Sequence, residues 1–149
     1  MSERYKSNPL VIGNDLRNEI RADSKNFLKP TWGSGNASTD WKLAATNAGN
    51  EVLKRTPDSL IFIEGLNYAN EMSMIRDSPI TLDVPNKLVY SFHLYSWQSV
   101  TSFKTYDKFV SGLNQEVGYI LEEGMPYTAP LWLGEFGQNS SDNYWKFLV

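Results

Sequence analysis

The feature that most constrains the fold is a regular alternation of short β-like runs with longer segments of helical periodicity. The β-like runs begin at Pro9, at Ser59 (SLIFIEG), at Lys87 (KLVYSFHLY) and at Pro130 (PLWLGE). Strands that alternate with helices in this way pair in parallel through right-handed crossovers. The sequence therefore predicts an α/β fold with about four parallel βα units.

The helical segments have their own signals. From Asp40 to about Arg55, apolar residues recur at the spacing of one helix face, and Asp40 can cap the first turn. The same periodicity returns between Tyr106 and Leu121, and a further helix is predicted to begin near Ser141.

Charge and composition exclude several classes of function. The net charge of −3 argues against binding to nucleic acid or an anionic membrane, since both need clustered Lys and Arg. There is no apolar run long enough to span a bilayer, and the amino-terminal segment has no apolar core typical of a signal peptide. With no Cys and one His, neither a disulfide nor a Cys- or His-rich metal site is expected. We therefore predict no cofactor.

The polar residues that could take part in catalysis or binding share one position, the carboxyl ends of the predicted strands. Asn18 and Glu19 are expected to end the first strand, His93 and Tyr95 the third, and Glu135 the fourth. Ligand sites of parallel α/β folds form there, because the βα loops converge at that edge. Two carboxylates facing each other at such a site can divide the work of glycoside hydrolysis between a nucleophile and a proton donor.

These motifs, taken together, resemble a known family. Asn18-Glu19, His93-x-Tyr95 and Gly134-Glu135-Phe136-Gly137 are similar to the signatures of glycoside hydrolase family 5, the cellulase family of (β/α)₈ barrels. The resemblance implies that residues 1–149 form one catalytic domain. It further implies a partial (β/α)₈ barrel comprising strands four to seven, incomplete at both ends. The family's strands one to three and eight would be absent, and with them its strand-two Arg and strand-eight Trp.

The resemblance also implies a role for each motif residue in a retaining, two-glutamate double displacement. Glu19 would be the general acid/base and Glu135 the nucleophile, with their carboxyl groups roughly 5–5.5 Å apart. Asn18 would bind the sugar 2-hydroxyl, Tyr95 would hydrogen-bond Glu135, and His93 would orient the acid/base and the substrate.

The implied substrate is a β-linked oligo- or polysaccharide such as a β-1,4-glucan. Trp32 and Trp97, on loops, are the predicted sugar-stacking platforms. Trp41 and Trp132 lie in regular elements and are predicted to belong to the core. Glu64 lies near a strand end but has no matching motif, and we interpret it as structural.

Two features leave alternatives open. Ile20 stands where the family usually has Pro after Asn-Glu, so that motif is incomplete. A four-strand sheet exposes its edges, so a truncated, inactive protein that binds sugar weakly or associates with itself is the alternative. The parent family is extracellular, but no signal peptide is found in this chain, so its own localisation stays open.

Overall fold

One parallel sheet organises the chain, of which the computed structural model describes residues 2–25, 28–97, 105–138 and 143–148. Four strands lie in the order β1-β2-β3-β4, and every neighbouring pair is parallel. The strands are β1 Gly13–Asp15, β2 Leu60–Glu64, β3 Leu88–Tyr95 and β4 Leu131–Gly137. The predicted number, order and direction of strands are therefore confirmed.

Helices connect the strands, as the periodicity predicts. They are α1 Ser2–Tyr5, α2 Trp41–Arg55, α3 Leu66–Ala69, α4 Tyr106–Glu116 and α5 Asn143–Leu148, with 3₁₀ turns at Ser73–Ile75 and Gly118–Leu121. The second predicted helical segment is thus split into α4 and a 3₁₀ turn, and the predicted helix start at Ser141 lies outside the described residues. None of the described helices is long and apolar enough to cross a bilayer.

The amino terminus of α2 is fixed by Asp40. Its buried carboxylate accepts the N–H of Leu43 at 3.1 Å, which caps the helix. It also accepts the N–H groups of Gly33 and Gly35, at 2.9 and 2.7 Å. Both glycines have positive φ (71° and 76°), a conformation that costs glycine little. One carboxylate therefore ties the loop that carries Trp32 to the helix.

The helices pack on one face of the sheet, which we call the covered face. The strand residues on this face form one apolar cluster with Ala45 and Leu53 of α2 and Phe109 of α4. Its strand members are Ile61, Ile63, Tyr90, Phe92 and Leu94. Alternation along each strand places these side chains together, because successive residues point to opposite faces.

The alternate residues form the other face of the sheet, which we call the open face. They are Phe62 and Glu64 of β2, Ser91, His93 and Tyr95 of β3, and Trp132 and Glu135 of β4. The rings of Phe62 and Trp132 meet edge to face at 5.8 Å between centroids. The prediction that Trp132 lies in the core is wrong, because the helices cover the other face and leave it 52% exposed. Trp41 packs against the core as predicted.

The first strand ends earlier than the sequence suggested. The expectation that Asn18 and Glu19 end it is wrong, since β1 stops at Asp15. The Asp15 carboxylate accepts the N–H of Arg17 at 3.2 Å, and such a side-chain turn competes with strand pairing. Glu19 then adopts a positive φ of 50°, which no strand allows. Both motif residues lie on the loop after β1.

Candidate active site

The loop after β1 and the ends of β3 and β4 bring three distant residues together. One oxygen each of Glu19 and Glu135 and one ring nitrogen of His93 all lie within 4.8 Å of one another. The side chain of His93 is 2% exposed, that of Glu19 is 21% exposed and that of Glu135 is 38% exposed. The two carboxylates therefore face solvent at the carboxyl rim of the sheet, and the imidazole lies beneath them.

His93 contacts three carboxyl groups. Its Nδ1 lies 3.2 Å from Glu19 Oε1 and 3.8 Å from Glu135 Oε2. Its Nε2 lies 3.3 Å from Oε1 of Glu64, whose side chain is 1% exposed. An imidazole in this position can hold the two rim carboxylates in a defined geometry and can exchange protons with either neighbour.

A β-bulge sets the register of His93 against Glu135. The pairing between β3 and β4 shifts between Phe92 and His93, so that Gly134 has no partner and His93 faces Glu135. A Cβ on Gly134 would lie 2.9 Å from Ser91 Oγ and 3.3 Å from His93 Nε2. A side chain at Gly134 would therefore force Ser91 to shift and would crowd His93, which gives the first glycine of Gly-Glu-Phe-Gly a structural reason.

Tyr95 links β3 to Glu135. Its phenol donates a hydrogen bond to Glu135 Oε2 at 2.7 Å, the contact expected from the sequence. This hydrogen bond raises the pKa of Tyr95, so the phenol keeps its proton and remains a donor to Glu135. The ring of Trp97 stacks on Tyr95 at 4.6 Å between centroids.

Glu64 is the buried acid of the site. The pKa of Glu64 is raised to about 7, chiefly by burial and also by the nearby Asp15 and Glu19 carboxylates, against the lowering effect of the Glu19 N–H and of His93. Partial desolvation also raises the pKa of Asp15, an exposed residue at the end of β1. The carboxyl ends of β1 and β2 thus carry two acids that the motifs do not include, Asp15 and Glu64.

A cleft of about 720 Å³ opens over the two rim carboxylates. We call it the central cleft, and it is lined by Glu19, Asn67, Tyr68, Asn70, Tyr95, Trp97 and Glu135. Trp97 is 60% exposed there, in a position to meet a ligand. Asn18 is exposed beside Glu19 but does not line the cleft.

Trp32 lies apart from this group. It lines a neighbouring cavity of about 540 Å³, and its indole N–H donates to the carbonyl oxygen of Ser78 at 2.8 Å. Its ring packs against the apolar core. The structure therefore brings Glu19, His93, Tyr95, Trp97 and Glu135 together and leaves Trp32 outside the central cleft.

A left-handed turn shapes one wall of the central cleft. Asn67, Tyr68 and Ala69 have φ values of 51°, 62° and 58°, although none is glycine. The N–H of Tyr68 donates to the carbonyl oxygen of Ile20 at 3.1 Å, which joins this turn to the loop that carries Glu19. The guanidinium of Arg21 lies 5.4 Å from the Tyr68 ring centroid and 3.8 Å from Glu19 Oε2.

Sequence reasoning placed Glu64 near a strand end but interpreted it as structural, and it missed Tyr68 and Asn70. Glu64 carried one usable signal, because it ends the apolar run SLIFIE at the same sheet edge as the motif residues. Tyr68 and Asn70 carried none, since nothing in Leu-Asn-Tyr-Ala-Asn predicts a left-handed turn.

Two carboxylates and an imidazole are also a donor set that a divalent cation accepts. In this cluster, however, Tyr95 and Glu64 already contact Glu135 and His93.

Comparison with known proteins identifies the family of the chain. The profile described as cellulase (glycosyl hydrolase family 5) matches residues 1–147. The chain belongs to glycosyl hydrolase family 5. Among curated relatives, an endoglucanase of Paenibacillus polymyxa is 38% identical over 159 residues, which covers 95% of this chain and 38% of the relative. The major extracellular endoglucanase of Xanthomonas campestris is 28% identical, covering 93% of this chain and 27% of the relative.

Solved structures of the family match the sheet and its helices. The catalytic domain of the major endoglucanase from Xanthomonas campestris matches with a TM-score of 0.73 and 28% identity, over 91% of this chain and 41% of that one. A Pyrococcus horikoshii endocellulase variant in complex with cellotetraose matches with a TM-score of 0.70 and 27% identity, over 91% and 43%. The predicted partial (β/α)₈ barrel is therefore confirmed. The chain spans less than half the length of these family members.

Proposed function

We propose that this chain carries the catalytic pair of a retaining β-glycoside hydrolase, with Glu135 as nucleophile and Glu19 as acid/base. The observation that supports this most strongly is the proximity of their carboxylate oxygens, which lie within 4.8 Å on one rim. Retaining enzymes hold the pair about 5–5.5 Å apart, whereas inverting enzymes leave about 6.5–9.5 Å for a water molecule.

The surroundings of each carboxylate support its assigned role. Glu135 accepts the Tyr95 phenol hydrogen bond, which fixes the orientation of the carboxylate proposed as nucleophile. Glu19 lies beside the buried His93, a neighbour with which it can share a proton. In the first step, Glu135 attacks the anomeric carbon while Glu19 protonates the leaving oxygen. In the second step, Glu19 takes a proton from water, and the oxygen of that water displaces Glu135 from the sugar.

The proposed substrate is a β-linked glucan. Trp97 and Tyr95 present a stacked aromatic surface in the central cleft, and the exposed ring of Tyr68 stands in its wall. Aromatic faces of this kind suit the apolar faces of pyranose rings. The Pyrococcus horikoshii endocellulase variant complexed with cellotetraose supports the same class of ligand. Asn18, the predicted partner of the sugar 2-hydroxyl, stands beside Glu19 and keeps that role as a proposal.

The cellular location of this activity is a further part of the proposal. The Xanthomonas relative is named an extracellular endoglucanase, which supports action outside the cell for this chain.

The open face favours a second candidate, a non-catalytic scaffold that binds sugar or a second copy of the chain. Trp132 is 52% exposed on this face beside Phe62. In the described residues, β1 and β4 each have a strand neighbour on one side only. Exposed aromatic surface and unpaired strand edges are the features through which chains associate.

Covalent trapping separates the two candidates. A 2-deoxy-2-fluoro-β-cellobioside with a good leaving group forms the glycosyl-enzyme but resists its hydrolysis. We expect mass spectrometry to find one fluorinated disaccharide on the peptide that contains Glu135. Glu135→Gln should abolish labelling, and Glu123→Gln, at an exposed surface carboxylate, should label like the wild type.

Two results would contradict the proposal. Labelling on a residue other than Glu135 would show that the nucleophile is wrongly assigned. An absence of both labelling and reducing-sugar release, with cello-oligosaccharide binding or dimers in sedimentation, would favour the scaffold.

A further inference from the structure

Glu64 is a buried acid that none of the three motifs includes. It ends β2 on the open face, and its side chain is 1% exposed. A carboxyl group removed from water is costly unless hydrogen bonds or charges compensate it. Its contacts therefore indicate what it does.

The first contact fixes the main chain of Glu19. The Glu19 N–H donates to Glu64 Oε2 at 2.6 Å, across 45 positions of sequence. Glu19 is also one of the few non-glycine residues with positive φ, at 50°. Such a conformation is energetically costly for a residue other than glycine and persists only where the surroundings hold it. The Glu64 carboxyl group supplies such a restraint at the strained residue itself.

The second contact reaches the side chain of the same residue. Glu64 Oε1 lies 3.3 Å from His93 Nε2, and His93 Nδ1 lies 3.2 Å from Glu19 Oε1. The three residues therefore form a closed ring of contacts. Glu64 touches the main chain of Glu19 directly and its carboxylate through the imidazole.

The single proton on a neutral His93 imidazole couples Glu64 to Glu19. A neutral imidazole carries one ring proton, so it donates to one glutamate and accepts from the other. When Nε2–H faces Glu64, Nδ1 can accept a proton from Glu19, and the reverse holds for the other tautomer. Asp15 and Glu19 face Glu64 from β1 and its loop, His93 faces it from β3, and Glu135 faces His93 from β4. From α2, the neutral Trp41 indole donates to the main-chain oxygen of Glu64.

We propose that Glu64 is the positioning residue of the acid/base: it holds Glu19 in its left-handed conformation and fixes the orientation and tautomer of the His93 ring. This inference rests on the proposed function, in which Glu19 is the acid/base. It assigns Glu64 no contact with substrate. Its effect on the reaction passes through Glu19 and His93.

The single histidine of the chain makes the proposal testable without activity. Long-range ¹H–¹⁵N spectra of the imidazole report which nitrogen carries the proton, and only His93 contributes. In the wild type, we expect one tautomer to dominate and the Glu19 amide to be protected from hydrogen exchange. In Glu64→Ala, the tautomers should mix and exchange at the Glu19 amide should accelerate at least about tenfold, as expected when a hydrogen bond is lost.

Two further variants sharpen this test. Glu64→Gln retains an oxygen acceptor for the Glu19 N–H, so the amide should stay partly protected while the tautomer distribution changes. Glu71→Gln, an exposed acid seven positions later, should leave both signals as in the wild type. Unchanged tautomer and amide signals in folded Glu64→Ala and Glu64→Gln would overturn the proposal.

The wild-type chain supplies a measurement that does not depend on a folded variant. The Glu19 amide signal should shift as pH is raised through the Glu64 pKa of about 7, because this N–H donates to the Glu64 carboxyl group. An amide that does not respond would overturn the inference. These signals are read without turnover, so they stand even if fluoroglycoside trapping fails. If trapping succeeds, Glu64→Gln should shift the pH profile of labelling, whereas a purely structural role would leave that profile in place.

Discussion

The covered face and the open face of the same sheet show two different uses of burial. Ile63 and Glu64 are consecutive in β2 and almost equally buried, at 0% and 1% exposed. Ile63 packs into the apolar cluster under the helices, whereas Glu64 buries a carboxyl group that holds Glu19 and contacts His93. The first burial stabilises the fold. The second opposes it and instead orders the rim.

The acidic part of the open face is confined to the carboxyl ends of the strands. Earlier on the open face, β2 carries Phe62, which meets Trp132 of β4. At the ends of the strands the same face carries Glu64, His93 and Glu135. A parallel sheet can therefore change from apolar to acidic within two residues of one strand, because only its end borders the loops.

The largest effect should come from truncating the covered face. Ile63→Ala removes a fully buried side chain from the apolar cluster, and such changes cost roughly 2–5 kcal/mol of unfolding free energy. Urea unfolding followed by tryptophan fluorescence would measure it. Labelling by the fluoroglycoside, per folded molecule, should change little. A cost below about 1 kcal/mol would show that the two faces do not differ as described.

The next largest effect is a decrease in the free energy of unfolding as pH rises, caused by Glu64. Its folded pKa of about 7 lies above the ordinary value of 4.5, so between these values only the unfolded chain loses the proton. The contribution of Glu64 to the free energy of unfolding is therefore greatest below pH 4.5. It falls as pH rises from 4.5 to 7 and is constant above pH 7. The loss is up to about 3 kcal/mol.

Urea unfolding of the wild type and Glu64→Gln at pH 5 and pH 8 isolates this effect from other titrating groups. The stability of Glu64→Gln relative to the wild type should rise between the two pH values. A constant difference would place the Glu64 pKa at its ordinary value and would contradict the contrast with Ile63.

The smallest effect should come from Tyr95→Phe. It removes a hydrogen bond to a carboxylate, worth about 2 kcal/mol, so fluoroglycoside labelling should slow on the order of tenfold or more. The fold should change little, because the ring and its stacking with Trp97 remain. Tyr106→Phe, at an exposed tyrosine of α4, is the matched control. Equal labelling rates in both variants would remove Tyr95 from the site.

Much of the covered face could be predicted from sequence, because it follows local rules. The SLIFIEG run and the Asp40 cap predict β2 and the start of α2 directly. The motif residues Glu19, His93 and Glu135 could be placed on one rim because parallel strands end at one edge.

The rest of the site depends on contacts that no local pattern encodes. Trp132 reads as a core residue because its strand is apolar, yet only the position of the helices decides which face is covered. Glu64 contacts Glu19 although the two residues are 45 positions apart. The apolar run of β2 does not indicate the register in which this strand pairs with β1, so the contact could not be predicted. The sequence places Trp32 on an open loop, but it does not encode the hydrogen bond to the Ser78 carbonyl that holds the ring against the core.

The left-handed turn at residues 67–69 has a consequence for the order of folding. Consecutive left-handed residues other than glycine cost roughly 1–2 kcal/mol each, so this turn is unstable as an isolated segment. It is restrained by the Ile20 carbonyl, 48 positions earlier, and by the paired main chains of Leu66 and Glu71. Contacts between such distant residues form after local ones, since the entropy of loop closure must first be overcome. We therefore expect the wall of the cleft to mature after the sheet and its helices, which pulse-labelling hydrogen exchange at the Tyr68 amide would time.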